Sequence, residues 1–121
     1  LPGGKLEHNE SLSKCVKREL MEELDLHVTD SKLKFIVENM YIRRRMLRHE
    51  ILFCYICESV GEPKVKERHV KVLWVKPRDI KDSFRPKPLI VEIEKLIMDE
   101  HVEPKYLLVI NDVLVKSQVL R

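Results

Sequence analysis

The chain is poor in the residues that break or cross-link structure: of 121 residues only three are glycine, six proline and three cysteine, and aromatics make up 6%. Three cysteines cannot all pair within one chain, so a secreted disulfide framework is not expected and a reducing cytoplasm is favoured. No run approaches the ~18 consecutive apolar residues that span a bilayer, and no signal-peptide pattern opens the sequence. Low glycine with 36% charged residues suits a soluble, heat-tolerant protein. Lys and Arg number 23 against 20 Asp and Glu, a formal charge of +3 that neither demands nor excludes a polyanionic partner. With 44% hydrophobic residues the length supports one domain with a real core, residues 1–121.

What is present is a succession of short patterned segments. After Leu1-Pro2-Gly3-Gly4, whose backbone can turn tightly, Ser11 is set as an N-cap. Leu12, Val16, Leu20 and Leu24 then recur at helical spacing. Asp30-Ser31 interrupts the pattern. Residues 34–43 and 49–58, rich in β-branched and aromatic types, read as an antiparallel hairpin with Arg43, Arg44, Arg45 and Arg48 around its turn. Residues 69–75, with the sole tryptophan, Trp74, read as a third strand after the Gly61-Glu62-Pro63 loop, and residues 77–88 as irregular. Residues 89–98 read as a helix burying Leu89, Ile93, Leu96 and Ile97. Residues 106–110 and 113–120 flank Asn111-Asp112 as a second hairpin. The fold class is therefore α/β or α+β in a single domain.

The chemistry concentrates in the first helix. Glu19, Glu22 and Glu23 stand at i, i+3 and i+4, on one face and bordering the apolar stripe. Three like charges there repel one another and lose hydration, and a bound cation relieves both costs. All-oxygen ligation suits Mg²⁺ or Mn²⁺ rather than zinc. Arg18 is placed to pair with one acid and fix its rotamer. Without further context, three glutamates in one turn are more often a solvated helix surface.

The context is specific. Five residues separate Gly4 from Glu10, seven separate Glu10 from Arg18-Glu19, and Glu22-Glu23 follow. Residues 3 to 26 resemble the Nudix box of the Nudix hydrolases, with one departure: Asp25 stands where that family usually has a glycine. The glycine ends the helix in a left-handed conformation, which Asp tolerates better than most residues. The resemblance implies an α/β/α sandwich with a mixed central sheet. It also implies that the Gly3 carbonyl and the carboxylates of Glu19, Glu22 and Glu23 hold one or more Mg²⁺ or Mn²⁺ ions, and that Glu10 and Arg18 orient them. The implied reaction is hydrolysis of a nucleoside diphosphate linked to another group: a nucleoside triphosphate, ADP-ribose or a nucleotide sugar. Glu19 or Glu22, supported by Arg18, is the catalytic candidate for taking a proton from the attacking water, with Glu62 and Glu67 as alternatives in a later loop. The other reading is a non-catalytic nucleotide- or RNA-binding domain that keeps the fold.

Members of that family carry strands ahead of the box, and the sequence here begins at the box. Either the hairpin of residues 106–120 takes their place in the sheet beside residues 1–10, or the chain is a fragment or renumbered and the hairpin lies elsewhere, pairing in one version with another subunit as a homodimer. The weaker signals have ordinary readings. Cys54 and Cys57, three apart in a strand, face opposite ways and read as core residues, as does Cys15. His8, His27, His49, His69 and His101 show no metal-ligand spacing. The arginine cluster can grip phosphates or simply be a charged hairpin tip. Tyr41, Phe53, Tyr55 and Trp74 read as packing rather than as a stacking platform, so the expected partner is a small nucleotide, with neither nucleic acid nor membrane.

Overall fold

A computed structural model describes residues 1–66, 71–80, 84–99 and 101–121. The chain gathers into two compact units, residues 1–32 with 55–74 and residues 33–54 with 75–121.

The first unit holds helix α1, Leu12–Leu24. Ser11 caps its start, its hydroxyl accepting from the Lys14 N–H at 3.3 Å. Its exit is the left-handed Asp25 (φ 57°, ψ 30°), whose N–H donates to the Met21 carbonyl at 3.1 Å while the Leu26 N–H reaches Leu20 at 3.2 Å. Both boundaries follow the sequence reading, and Asp25 takes the conformation expected of the glycine it replaces. The last carbonyls of α1 find partners in residues 64–66, where Lys64 N–H donates to Leu24 O at 2.7 Å and Lys66 Nζ to Met21 O at 3.1 Å. Lys66 also pairs with Asp25 at 3.1 Å, placing a cation where the helix dipole is negative.

Strands β1, His27–Arg43, and β2, Met46–Val60, are each longer than the sequence suggested and pass through both units. The expected break at Asp30-Ser31 does not occur. Its polar side chains are served within the extended strand, Ser31 Oγ lying 3.3 Å from Ser13 Oγ and Asp30 3.4 Å from Lys32 Nζ. Next to them Thr29 Oγ1 donates to the Glu58 carbonyl at 3.3 Å, so local turn propensity is overridden by pairing. The two-residue connection Arg44-Arg45, with φ 51° and 61°, has the positive pair of a type I′ turn and requires antiparallel strands.

In the second unit helix α2, Lys87–Met98, opens with Pro88 in its first turn. Strands β3, Lys105–Ile110, and β4, Val113–Val119, are joined by Asn111-Asp112 (φ 47° and 62°), the second expected hairpin. The sheet order is β2-β1-β3-β4. β3 runs parallel to β1, Phe35 opposite Lys105 through Met40 opposite Ile110, and β4 is antiparallel to β3 with an irregularity at Leu108/Val109. The hairpin thus enters the sheet beside β1, and residues 1–10 form no strand. Alternate residues of β1 and β3 meet α2 in the core: Phe35, Val37, Leu107 and Val109 with Leu89 and Leu96.

Four expectations are corrected here. Of the proposed third strand, residues 69 and 70 lie outside the described residues, and residues 71–75 are not extended into a strand. Trp74 is 83% exposed rather than packed. On α2 it is Glu92, not Ile97, that completes the buried stripe with Leu89, Ile93 and Leu96. Ile97 is exposed because the stripe with a partner runs i, i+3, i+4, i+7 from Leu89. Burial pushes the Glu92 carboxyl up, but Lys105 at 2.7 Å and Lys95 at 2.9 Å outweigh it and hold it below the usual carboxylate range. The strand aromatics are also not core: Tyr41 and Tyr55 are half-buried and Phe53 is exposed.

Candidate active site

One guanidinium organises the N-terminal cluster. Arg18 Nε donates to Glu10 Oε1 at 2.8 Å and Nη2 to Glu10 Oε2 at 3.0 Å, a two-pronged grip on one carboxylate. Nη1 donates to Glu19 Oε1 at 2.7 Å and to Glu22 Oε2 at 3.2 Å. Nη2 also reaches the Lys5 carbonyl at 3.1 Å and the Cys15 sulfur at 3.7 Å, and Glu7 stands 3.7 Å from Nη1. Four carboxylates therefore surround one cation. The helix explains part of this, since Arg18 and Glu22 are i, i+4 neighbours on one face. The rest comes from the segment before it. Glu7 and Glu10 close a turn in which the Glu10 N–H donates to the Glu7 carbonyl at 3.3 Å and the Glu7 N–H to Glu10 Oε2 at 3.0 Å. Asn9, at φ 60°, supplies the left-handed residue.

The electrostatics follow from these contacts. The Arg18 guanidinium, then the Glu7 N–H, hold the Glu10 carboxyl down to about 2. Glu10 and then Glu19 hold the Arg18 proton more firmly than usual. Burial, then the Glu10 charge, push the Cys15 thiol up, which makes it a packing residue and a poor nucleophile.

The two glycines bring backbone to this acidic face. The Gly3 N–H donates to Glu23 Oε2 at 3.2 Å. At Gly4 a Cβ would stand 2.0 Å from Glu19 Oε1 and 2.4 Å from Oε2, so the Glu19 carboxylate occupies the space a side chain would need. Of the residues singled out in the sequence, Glu10, Glu19 and Glu22 are drawn together on Arg18, while Gly3 and Glu23 meet each other. Among the described residues no three acidic, histidine or cysteine side chains converge as a ready cation cage. Glu62 is exposed in the loop after β2, and Glu67 lies outside the described residues. Sequence reading missed Glu7 and the Lys5 carbonyl. A short polar turn carrying Asn9 just before the capping serine was their only signal.

Beyond this cluster, the second unit places His49 Nε2 2.8 Å from Glu38 Oε1, with the Tyr106 hydroxyl donating to the other carboxylate oxygen in a short hydrogen bond. Tyr106, then His49, hold Glu38 below the usual range, and Glu38 pushes Tyr106 up. The cysteines are unpaired. Cys54 packs against the core and burial raises its thiol to about 11. Burial, then Asp30, push Cys57 up as well.

Comparison with known proteins bears on the family and the fold. A family model described as the NUDIX domain matches residues 1–97, which takes in the Arg18 cluster together with β1, β2 and most of α2. The chain belongs to the Nudix family. Its fold is similar to that of the mutator MutT protein from Bacillus halodurans, with a TM-score of 0.72 and 24% identity over 98% of this chain and 79% of that one. The mixed four-stranded sheet with two helices is thus a Nudix fold of the α+β class. Among the described residues no helix is long and apolar enough to cross a membrane.

Proposed function

We propose that this chain is a Mg²⁺- or Mn²⁺-dependent Nudix hydrolase that cleaves the pyrophosphate bond of a nucleoside diphosphate linked to another group. Nucleoside triphosphates, ADP-ribose and nucleotide sugars are the candidate substrates, met in a reducing cytoplasm where the three free thiols survive. The observation that carries the reading is the Arg18 cluster itself, in which four carboxylates crowd one guanidinium on a helix whose neighbouring Glu23 is held by Gly3. That surplus of negative charge is made of hard oxygen donors, the donor set that suits a divalent cation of this type. Glu19, Glu22, Glu23 and the Gly3 backbone carbonyl would hold it. When bound, the cation neutralises phosphate oxygens and lowers the pKa of a bound water.

The remaining roles belong to the chain. Glu10, from the segment before the helix, grips Arg18 at 2.8 Å, and Arg18 in turn fixes the Glu19 carboxylate at 2.7 Å. Gly4 leaves room for that carboxylate. Glu22, whose side chain is 59% exposed and only loosely tied to Arg18 at 3.2 Å, has the freedom to accept the proton of the attacking water. The test is release of phosphate or pyrophosphate from a panel of nucleotide derivatives with Mg²⁺, repeated with Glu23→Gln. Metal-dependent release that falls at least tenfold in the variant supports the reading. Release indifferent to that change would leave the fold intact and remove the mechanism.

A further inference from the structure

The second unit contains a cavity of about 480 Å³, lined among others by Asn39, Tyr41, Arg43, Glu50, Arg85 and Asp112. Its size falls in the range of small-molecule sites. Asn39 is only 5% exposed, so its amide is a built feature of the wall rather than a surface group. Its Nδ2 donates to Glu50 Oε1 at 3.0 Å, and the other Glu50 oxygen receives only a long contact of 3.5 Å from the Tyr41 hydroxyl. Arg85, also in the lining, is engaged by Asp112 at 2.7 Å, and the Lys87 N–H donates to the same Asp112 at 3.2 Å.

Counting lone pairs and protons along this wall gives a defined array. The Asn39 amide nitrogen has a second N–H beyond the one given to Glu50, and each Glu50 oxygen keeps acceptor capacity beyond its present contact. The wall therefore reads donor, acceptor, acceptor. The complement is a planar edge that reads acceptor, donor, donor. Among the common bases guanine alone has it, in O6, N1–H and the 2-amino group. Adenine and cytosine set a ring acceptor against the carboxylate, and uracil sets a carbonyl oxygen there. Each mismatch leaves buried polar groups facing a like partner, the situation that rejects analogues most strongly.

We propose that this cavity selects a guanine base through Asn39 and Glu50, with Tyr41 as part of its wall. That the ligand is a nucleobase rests on the Nudix reading above, while the choice of guanine rests on the array. Asn39 and Glu50 are specificity residues and take no part in the hydrolysis assigned to α1.

The test uses nucleosides, which carry no phosphate and need no metal. Chemical-shift titration of the nitrogen-15-labelled full chain with guanosine moves the Asn39 side-chain amide resonance and saturates. Inosine, lacking the 2-amino group, binds about tenfold more weakly, the factor expected for one hydrogen bond to a charged group. Adenosine and uridine bind more weakly still. In Glu50→Gln the oxygen must stay on Asn39, so the wall becomes donor, acceptor, donor. Guanosine then loses at least tenfold and xanthosine, whose edge reads acceptor, donor, acceptor, gains. A misfolded variant cannot show that gain. Equal binding of guanosine and adenosine, no binding of guanosine, or an unchanged guanosine affinity in Glu50→Gln would each overturn the proposal. Pyrophosphate hydrolysis that persists in such a case leaves the Nudix reading standing, and guanosine selection without hydrolysis leaves the cavity standing.

Discussion

Arg18 is the residue on which the others depend, and its neighbours give sharp expectations. Gly4→Ala puts a methyl group 2.0 Å from Glu19 Oε1. Gly4 is exposed, so the fold survives, but the carboxylate must leave Arg18 or the backbone must retreat from it. Metal-dependent hydrolysis should fall by roughly 10–100-fold, the usual effect of displacing a group that orients a ligand, while thermal unfolding barely changes. Glu10 gives a prediction in pH. Its carboxyl is held at about 2 against an ordinary 4.5. The unfolded chain therefore takes up the proton first as pH falls. The stabilisation is complete above about 4.5 and is lost as pH drops through about 2. Urea midpoints followed over that window should decline more steeply for the wild type than for Glu10→Gln, which has no proton to bind. Glu38 and Glu92, also held low, contribute a slope of the same sign to both proteins and do not alter the comparison.

At the scale of elements, α2 sets Leu89 apart from Ile97, two apolar residues that the sequence reading placed on the same buried side. Leu89 is 1% exposed among Phe35, Val37, Leu107 and Val109, so Leu89→Ala should cost about 2–5 kcal/mol in chemical denaturation. Ile97, 55% exposed, should cost no more than about 0.5 kcal/mol on the same change. A reversed order would mean that α2 is rotated from the face described. The hairpins show what short-range chemistry can and cannot specify. Asn111-Asp112 is a turn by residue type, since both tolerate positive φ. Arg44-Arg45 adopts the same geometry without that help, and there the pairing of two long strands imposes the turn.

At the scale of the whole molecule, the parts legible in the sequence were those written in local rules. Ser11, the helical spacing from Leu12 to Leu24 and the left-handed Asp25 are each readable from a few neighbouring residues. The acids and Arg18 were legible because one helix turn brings them to one face. The contribution of Glu7 and the Lys5 carbonyl was not, because irregular backbone folds them back on Arg18 and no periodicity records it. The start of β1 was hidden for a related reason. Asp30 and Ser31 are turn formers in isolation, and only their partners in the fold keep them extended. Glu92 reads as a surface residue until Lys105, thirteen positions away, is seen to neutralise it. Trp74 failed in the opposite sense, an apolar residue whose strand was expected and is not formed by residues 71–75.

The central claim is that the carboxylates around Arg18 and Gly3 take up a divalent cation. Calorimetric titration of the full chain with MgCl₂, and with MnCl₂ in parallel, measures it directly. The account predicts saturable uptake that is lost when Glu19, Glu22 and Glu23 are together changed to Gln in a chain that still unfolds cooperatively. Uptake of the same stoichiometry and affinity in that triple variant, or none in the wild type, would contradict it.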